Sequence, residues 1–501
     1  MLLETGAAVS QGGVRAHSQP NRGTAVMLRK YPPGPLNMYA PLGLTWRHFM
    51  ALNANPLGFL TKMGRYGDLS FYRILTLRAY VVNHPDLIRD VLVTKAKSFR
   101  KWEHQMRAFR QGVGNGLLTS HGDEWRRQRR MVQKPLQMQR MGHYAQITVD
   151  HTRRMVEHWS ERQDVLVEHE MVLLGQDIMA KSLFDVQDVG EAEELSRAVR
   201  IASDTFAREN YLLFKLPDWA PLQRQRQKRW ALETLDRIVR KIIQQRRRSR
   251  SHTEDLLSQL LLAEDDGRRL TDNEVRDQAV TIFTAGYHTT AVALAWVFYL
   301  LAKHREVQAR VQQEVDTVLN GRAATLEDVS QLTYLEMVIQ ETLRLYPPAY
   351  ALFGRETIET VELGGYRIDK GAYIGVFPWI TQRDERFFPD PLRFNPERFA
   401  PSRAEQISPF AYFPFGAGPH ICVGKHFAKM EIPLIVATVL QRYRVELTDS
   451  QRPLRLDAGV SLRMKDDIAV SFCSRCQPAG VPATASPHVT HPGVWAAKGQ
   501  G

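Results

Sequence analysis

A mainly α-helical fold with small β-sheets is what this sequence predicts, and three observations predict it. Helical periodicity dominates residues 123 to 346 and resumes after residue 422. Runs with strand character are few: LSFYRI and AYVVN early, YRIDKGAYIGVF in the middle and IAVSF near the end. The chain has 501 residues, 44% hydrophobic and 24% charged, which suits a globular protein able to bury a sizeable core.

Residues 1–30 read as a disordered tail. They lack a basic start followed by an apolar core, so they are no secretory signal, and Arg15, Arg22 and Arg29 against the single acid Glu4 give only a faint transit-peptide character. KYPPGP, residues 30 to 35, marks entry into ordered structure, because paired prolines stiffen the chain and prevent helix. The body is expected over 31–475. Within it, TDNE from Thr271 forms a capping box, and the helix it opens should run to about His304, about 50 Å at 1.5 Å per residue. Its stretch 279 to 302 carries no charge and is long enough to cross a bilayer, but Gly286, His288, Thr289 and Thr290 interrupt it. A helix buried in protein is therefore expected, with no transmembrane anchor. Residues 476–501, rich in Pro, Gly, Ala and Ser, read as a second disordered tail.

The net charge of +13 arises from scattered basic residues without any nucleic-acid-binding signature, which excludes a nucleic-acid partner and leaves an acidic protein or membrane headgroups. Three cysteines, Cys422, Cys473 and Cys476, make no disulfide framework, so a reducing, cytoplasmic setting is expected, with mitochondrial or peripheral membrane placement as alternatives. Cys473 and Cys476 with His488 and His491 nearly match a zinc finger. The histidine spacing is too short and apolar packing residues are lacking, so the segment reads as tail.

Cys422 lies in FGAGPHICVG, residues 415 to 424. Taken alone it would be a buried thiol. Gly416, Gly418 and Gly424 permit a tight backbone with amides turned toward one atom, and a helix begins just after it, so a thiolate is expected. Such a thiolate could be a nucleophile, with His420 or His426 as base, or an iron ligand shielded by Phe415.

The order Phe415, Gly418, His420, Cys422, Gly424 resembles the haem-binding loop of the cytochrome P450 family, and the resemblance extends over roughly residues 31 to 475. It implies a single large haem-binding domain, haem b (iron protoporphyrin IX) as cofactor, and Cys422 as proximal ligand of the iron. Trp125 and Arg129 in WRRQR match the family's helical pair facing a propionate, and Arg355 in FGRE matches its strand arginine. Glu341 and Arg344 in ETLR, with Arg398 in FNPERF, match its buried network and belong to the fold. That pattern is weak alone, since Glu124 with Arg127 and Glu194 with Arg197 repeat it. AGYHTT contributes Ala285, Gly286, His288 and Thr289 as the motif beside the oxygen site, with Thr289 holding the water that delivers protons.

Two positions depart from the family. His420 stands where arginine is usual, which shifts propionate anchoring elsewhere, and His288 stands where an acid is usual, which suggests a proton relay sensitive to pH near neutrality. The resemblance implies a soluble bacterial-type monooxygenase, monomeric, hydroxylating or epoxidising a hydrophobic substrate (fatty acid, terpenoid or steroid-like) with O2. The substrate windows are the loop after Phe99, residues 200 to 225, the long helix, residues 349 to 353 and AGVSL near 460, all mainly apolar. No flavin or nicotinamide fingerprint occurs, so electrons come from a separate partner. An acidic ferredoxin or flavodoxin is expected on a basic face of Arg126, Arg127, Arg130, Lys425 and Lys429. Competing readings are a peroxide-driven peroxygenase or haem-thiolate isomerase, mildly favoured by His288 and disfavoured by Thr289, and a non-catalytic haem sensor.

Overall fold

The computed structural model describes residues 31–35, 42–185, 222–248 and 255–475, with isolated residues of the stretch between 186 and 221. Both expected tails lie outside the described residues, as do Cys476, His488, His491 and most of the window 200 to 225. The helices that build the body are α1 (Glu103–Val113), α2 (Gly122–Gln133), α3 (Met141–Glu157), α4 (Val167–Phe184), α5 (Gln223–Arg248), α6 (Asp272–Lys303), α7 (Thr333–Leu345) and α8 (Lys425–Arg442).

Helix α6 is the axis of the molecule. Thr271 and Glu274 close the capping box at its start, with Thr271 N–H donating to Glu274 Oε2 at 2.8 Å, and His304 caps its end. Every residue from Thr290 to Ala302 is buried, so the apolar run reflects a helix packed on all sides. Against it lies α4, whose Gly175 allows a close approach: a Cβ there would meet the Tyr287 carbonyl oxygen at 3.3 Å.

A five-stranded sheet flanks the helices. Its strands are β1 (Leu69–Ile74), β2 (Leu77–Val82), β3 (Phe99–Lys101), β5 (Arg355–Thr357) and β6 (Tyr373–Val376), in the order β1-β2-β6-β5-β3, with β6 parallel to β2 and the other pairs antiparallel. The KYPPGP entry is anchored on it: Phe71 N–H donates to Pro33 O at 2.9 Å, and the Tyr31 and Phe71 rings stack 4.6 Å apart. YRIDKGAYIGVF does not form one strand. It splits at Gly371, φ +79°, into Tyr366–Ile368 and β6, which join different sheets. A strand the periodicity hides, β4 (Arg162–Leu166), pairs antiparallel with the C-terminal strand Ala469–Ser474; its exposed and half-buried residues alternate, but of the inner pair Gln163 and Val165 only the valine is apolar, so the sequence shows no apolar alternation.

The carboxylate of Glu341 accepts from Arg344 Nε (2.6 Å) and Nη2 (2.9 Å), and Arg398 Nε adds a bond at 3.3 Å. Arg344 also donates to the carbonyls of Gln382 and Pro391. The look-alike pairs dissolve: Glu124 accepts from Asn115 instead, Arg127 pairs with Glu274 on α6, and Glu194 with Arg237 on α5.

Candidate active site

The loop 415–424 is folded by its glycines and by α2. Gly416 and Gly418 have φ of +70° and +68°, the region that favours glycine. At Gly418 space also decides, because a Cβ would lie 2.0 Å from the Leu92 carbonyl oxygen. Gly424 has an ordinary φ of −83° and caps α8; its contribution is a backbone N–H directed at the Cys422 sulfur. Cys422 N–H closes the loop by donating to Phe415 O at 2.9 Å.

Cys422 keeps accessible surface, yet the protein packed around its sulfur pushes its pKa above the ordinary thiol value. The Gly424 N–H and the charges of Arg129 and Lys425 pull the other way without prevailing. The expectation that the loop alone makes a thiolate is corrected accordingly. A coordinated metal ion deprotonates a thiol outright, so the site suits a ligand better than a free nucleophile.

Beside the loop, Trp125 and His420 rings lie 4.0 Å apart, and Arg129 Nη1 donates to Ile421 O at 2.9 Å. One helical turn thus touches the loop at two consecutive residues. Arg355, buried on β5, donates to Phe353 O, and burial lowers its pKa to about 10. Sequence reasoning missed Lys101 on β3. Its ammonium donates to the carbonyls of Leu117, Leu118 and Ser120, and burial, then Arg355, Arg110 and Arg129, lower it to about 7. A lysine beside an arginine in FRKW carries no signal that it turns inward. The His420 ring is lowered to about 2 by burial first, then by Lys101, Arg355, Arg129 and His121, so it is neutral. Among the described residues Lys101, Arg129 and Arg355 form no ion pair.

On α6, Ala285 and Thr289 keep accessible surface one turn apart, in a helix otherwise mostly buried. Thr289 Oγ1 donates to Ala285 O at 2.8 Å, the back-bond a mid-helix threonine makes. Gly286 faces α4, where a Cβ would lie 3.0 Å from Met179 Cε. His288 turns toward the C-terminal hairpin, its Nδ1 3.4 Å from Ser461 Oγ. Two further contacts join the expected windows: Tyr350 OH donates to Ala458 O at 3.0 Å and Gly459 O at 3.1 Å in that hairpin, whose strands are Leu456–Ala458 and Leu462–Met464, and the Phe353 ring packs edge-on to Phe109 of α1 at 5.5 Å.

The expected basic face is largely neutralised within the chain. Arg130 makes two bonds to Asp265 (2.7 and 2.8 Å), Arg127 pairs with Glu274, Arg126 with Asp123, and Lys429 with Glu336 at 2.8 Å.

A model of the cytochrome P450 family matches residues 32–471. The chain is 38% identical to cyclooctat-9-en-7-ol 5-monooxygenase of Streptomyces melanosporofaciens, over 79% of this chain and 87% of that protein. It is 34% identical to pentalenene oxygenase of Streptomyces avermitilis, over 79% and 88%. The crystal structure of the cytochrome P450DA heme domain superposes with a TM-score of 0.76 at 24% identity, covering 89% of this chain and 99% of that one, a likeness of fold. The residues present fit a haem: unpaired cations gather beside the loop where two propionates would neutralise them, and the Cys422 sulfur receives a backbone N–H. Family match, relatives and fit agree: the chain belongs to the cytochrome P450 family and is a haem-dependent monooxygenase of hydrophobic substrates.

Proposed function

We propose that this enzyme oxygenates a terpenoid. The carrying observation is that the expected substrate windows touch one another, Phe353 against Phe109 and Tyr350 against the backbone of Ala458 and Gly459, and that the hairpin's Ser461 reaches His288 on α6, the helix on which Ala285 and Thr289 keep accessible surface. The naming of two relatives for a cyclooctatenol and for pentalenene supports the class. When bound, the haem supplies the chemistry that places one oxygen atom of O2 into a C–H bond.

The chain's residues then divide the work. Cys422 Sγ would be the ligand, in a loop closed by the Cys422 N–H bond to Phe415 O. Arg129, Arg355 and Lys101 would hold the propionates, while neutral His420 packs on Trp125. Apolar walls exclude water from the substrate. Thr289 Oγ1 can release Ala285 O and hold a water, and His288 with Ser461 passes a proton toward it. His288→Ala is expected to lower the product formed per electron several-fold and to flatten the pH profile near neutrality; unchanged coupling and profile would remove His288 from the relay. The class is tested by titrating the haem-loaded protein with diterpene and sesquiterpene hydrocarbons and alcohols, fatty acids and steroids. Spectral shifts and O2-dependent product from terpenoids alone are expected, and exclusive response to fatty acids would reject the reading.

Electrons come from an acidic ferredoxin or flavodoxin. Exposed ion pairs contribute little, so an acidic partner can compete for Arg130 and Lys429, and Lys425 adds charge beside the loop. Arg130→Glu with Lys429→Glu should slow reduction at low salt by roughly tenfold, with the gap closing as salt rises. Equal rates at every ionic strength would rule this face out.

A further inference from the structure

Glu431 is an acid in the apolar run MEIPLIVATVL of α8, 1% exposed, with both carboxylate oxygens sealed from solvent and without a well-aligned hydrogen bond. The mechanism above does not use it. Its polar neighbour is the hydroxyl of Thr290, the residue next to Thr289 on α6, so the acid sits where the helix starting at the cysteine loop packs on the helix bearing the oxygen-side motif. Burial and Thr290 are the two influences on it. No charged side chain contributes, whether from α3, α6, α7, Arg305–Leu319, Glu327–Ser330 or Tyr443–Leu447, the elements packed on α8; the titratable ring nearest along α3, Tyr144, lies against Phe427 one turn earlier.

We propose that Glu431 is a neutral carboxylic acid that ties α8 to α6 through Thr290 and so positions Thr289 relative to the cysteine loop. An ionised carboxylate here would have no cation to pair with, whereas the protonated group is both donor and acceptor and matches a threonine hydroxyl. Burial accordingly raises its pKa to about 8. Because the folded value lies above the unfolded one, about 4.3, this group's contribution to stability is complete below about 4.3 and is lost as pH rises toward 8, about tenfold in the folding equilibrium per pH unit between them.

The test uses the haem-loaded protein and three variants, Glu431→Gln, Glu431→Leu and Thr290→Val. Infrared spectra at pH 6 should show a protonated-carboxyl carbonyl band that Glu431→Gln lacks, and Glu431→Gln should lose the downward stability slope between pH 5 and 8. Glu431→Gln should keep the product formed per electron. Glu431→Leu and Thr290→Val should lower it several-fold while retaining the thiolate-type carbon monoxide spectrum. No infrared difference, or glutamine behaving as badly as leucine, overturns the neutral acid. Full coupling in Thr290→Val, which stands even if the leucine variant fails to fold, overturns the positioning role.

Discussion

Cys422→Ser is expected to abolish monooxygenation to below detection and to remove the thiolate-type absorption of the reduced carbon monoxide complex. The variant should still fold, because the loop is held by features that serine leaves intact: the Cys422 N–H bond to Phe415 O, the positive φ of Gly416 and Gly418, and the Arg129 bond to Ile421 O. What it loses is the soft sulfur that pushes electron density onto iron. The experiment also separates ligand from nucleophile, since a nucleophile's loss would stop turnover and leave the spectrum unaltered. Near-native absorption together with native turnover would remove Cys422 from the metal.

Arg344→Leu is expected to produce the largest loss of stability. Glu341 and Arg344 side chains are fully buried, and the arginine's bonds to Glu341 and to the carbonyls of Gln382, Pro391 and Arg393 join α7 to the segment 382–398. Removing it leaves a carboxylate sealed from water with only Arg398 as counter-charge, a cost of about 3–5 kcal/mol. That is a large fraction of the 5–15 kcal/mol by which domains are typically stable, roughly speaking, so little haem-loaded protein should accumulate. Adding Glu341→Gln should recover part of the loss by removing the stranded charge. A single variant whose denaturant midpoint equals that of the unaltered protein would show that the network does not hold the fold.

Local signals made much of this legible. The capping box at Thr271, the positive-φ glycines of the cysteine loop and the Trp125 to Arg129 spacing each act within a few residues, and the structure closes the first, folds the loop on the second and sets Trp125 and Arg129 against that loop. What stayed hidden depends on partners distant in sequence. Lys101 and Glu431 look like surface charges until the fold buries them, and Arg127 chooses Glu274 over its helical neighbour Glu124. The direction of the Cys422 shift was missed for the same reason: nearby amides and cations are visible in the sequence, whereas desolvation belongs to the whole body around the thiol.

The three hydrogen bonds that Lys101 donates to the carbonyls of Leu117, Leu118 and Ser120 bear on how the cofactor and the fold are coupled. These bonds keep the Lys101 amine beside Arg129 and Arg355, so like charges are concentrated at one place in the fold. A dianionic cofactor held there would relieve that repulsion and would join the folding equilibrium as a ligand bound only by the native state. Haem supply would then set how much of this chain stays folded, not only how much is active.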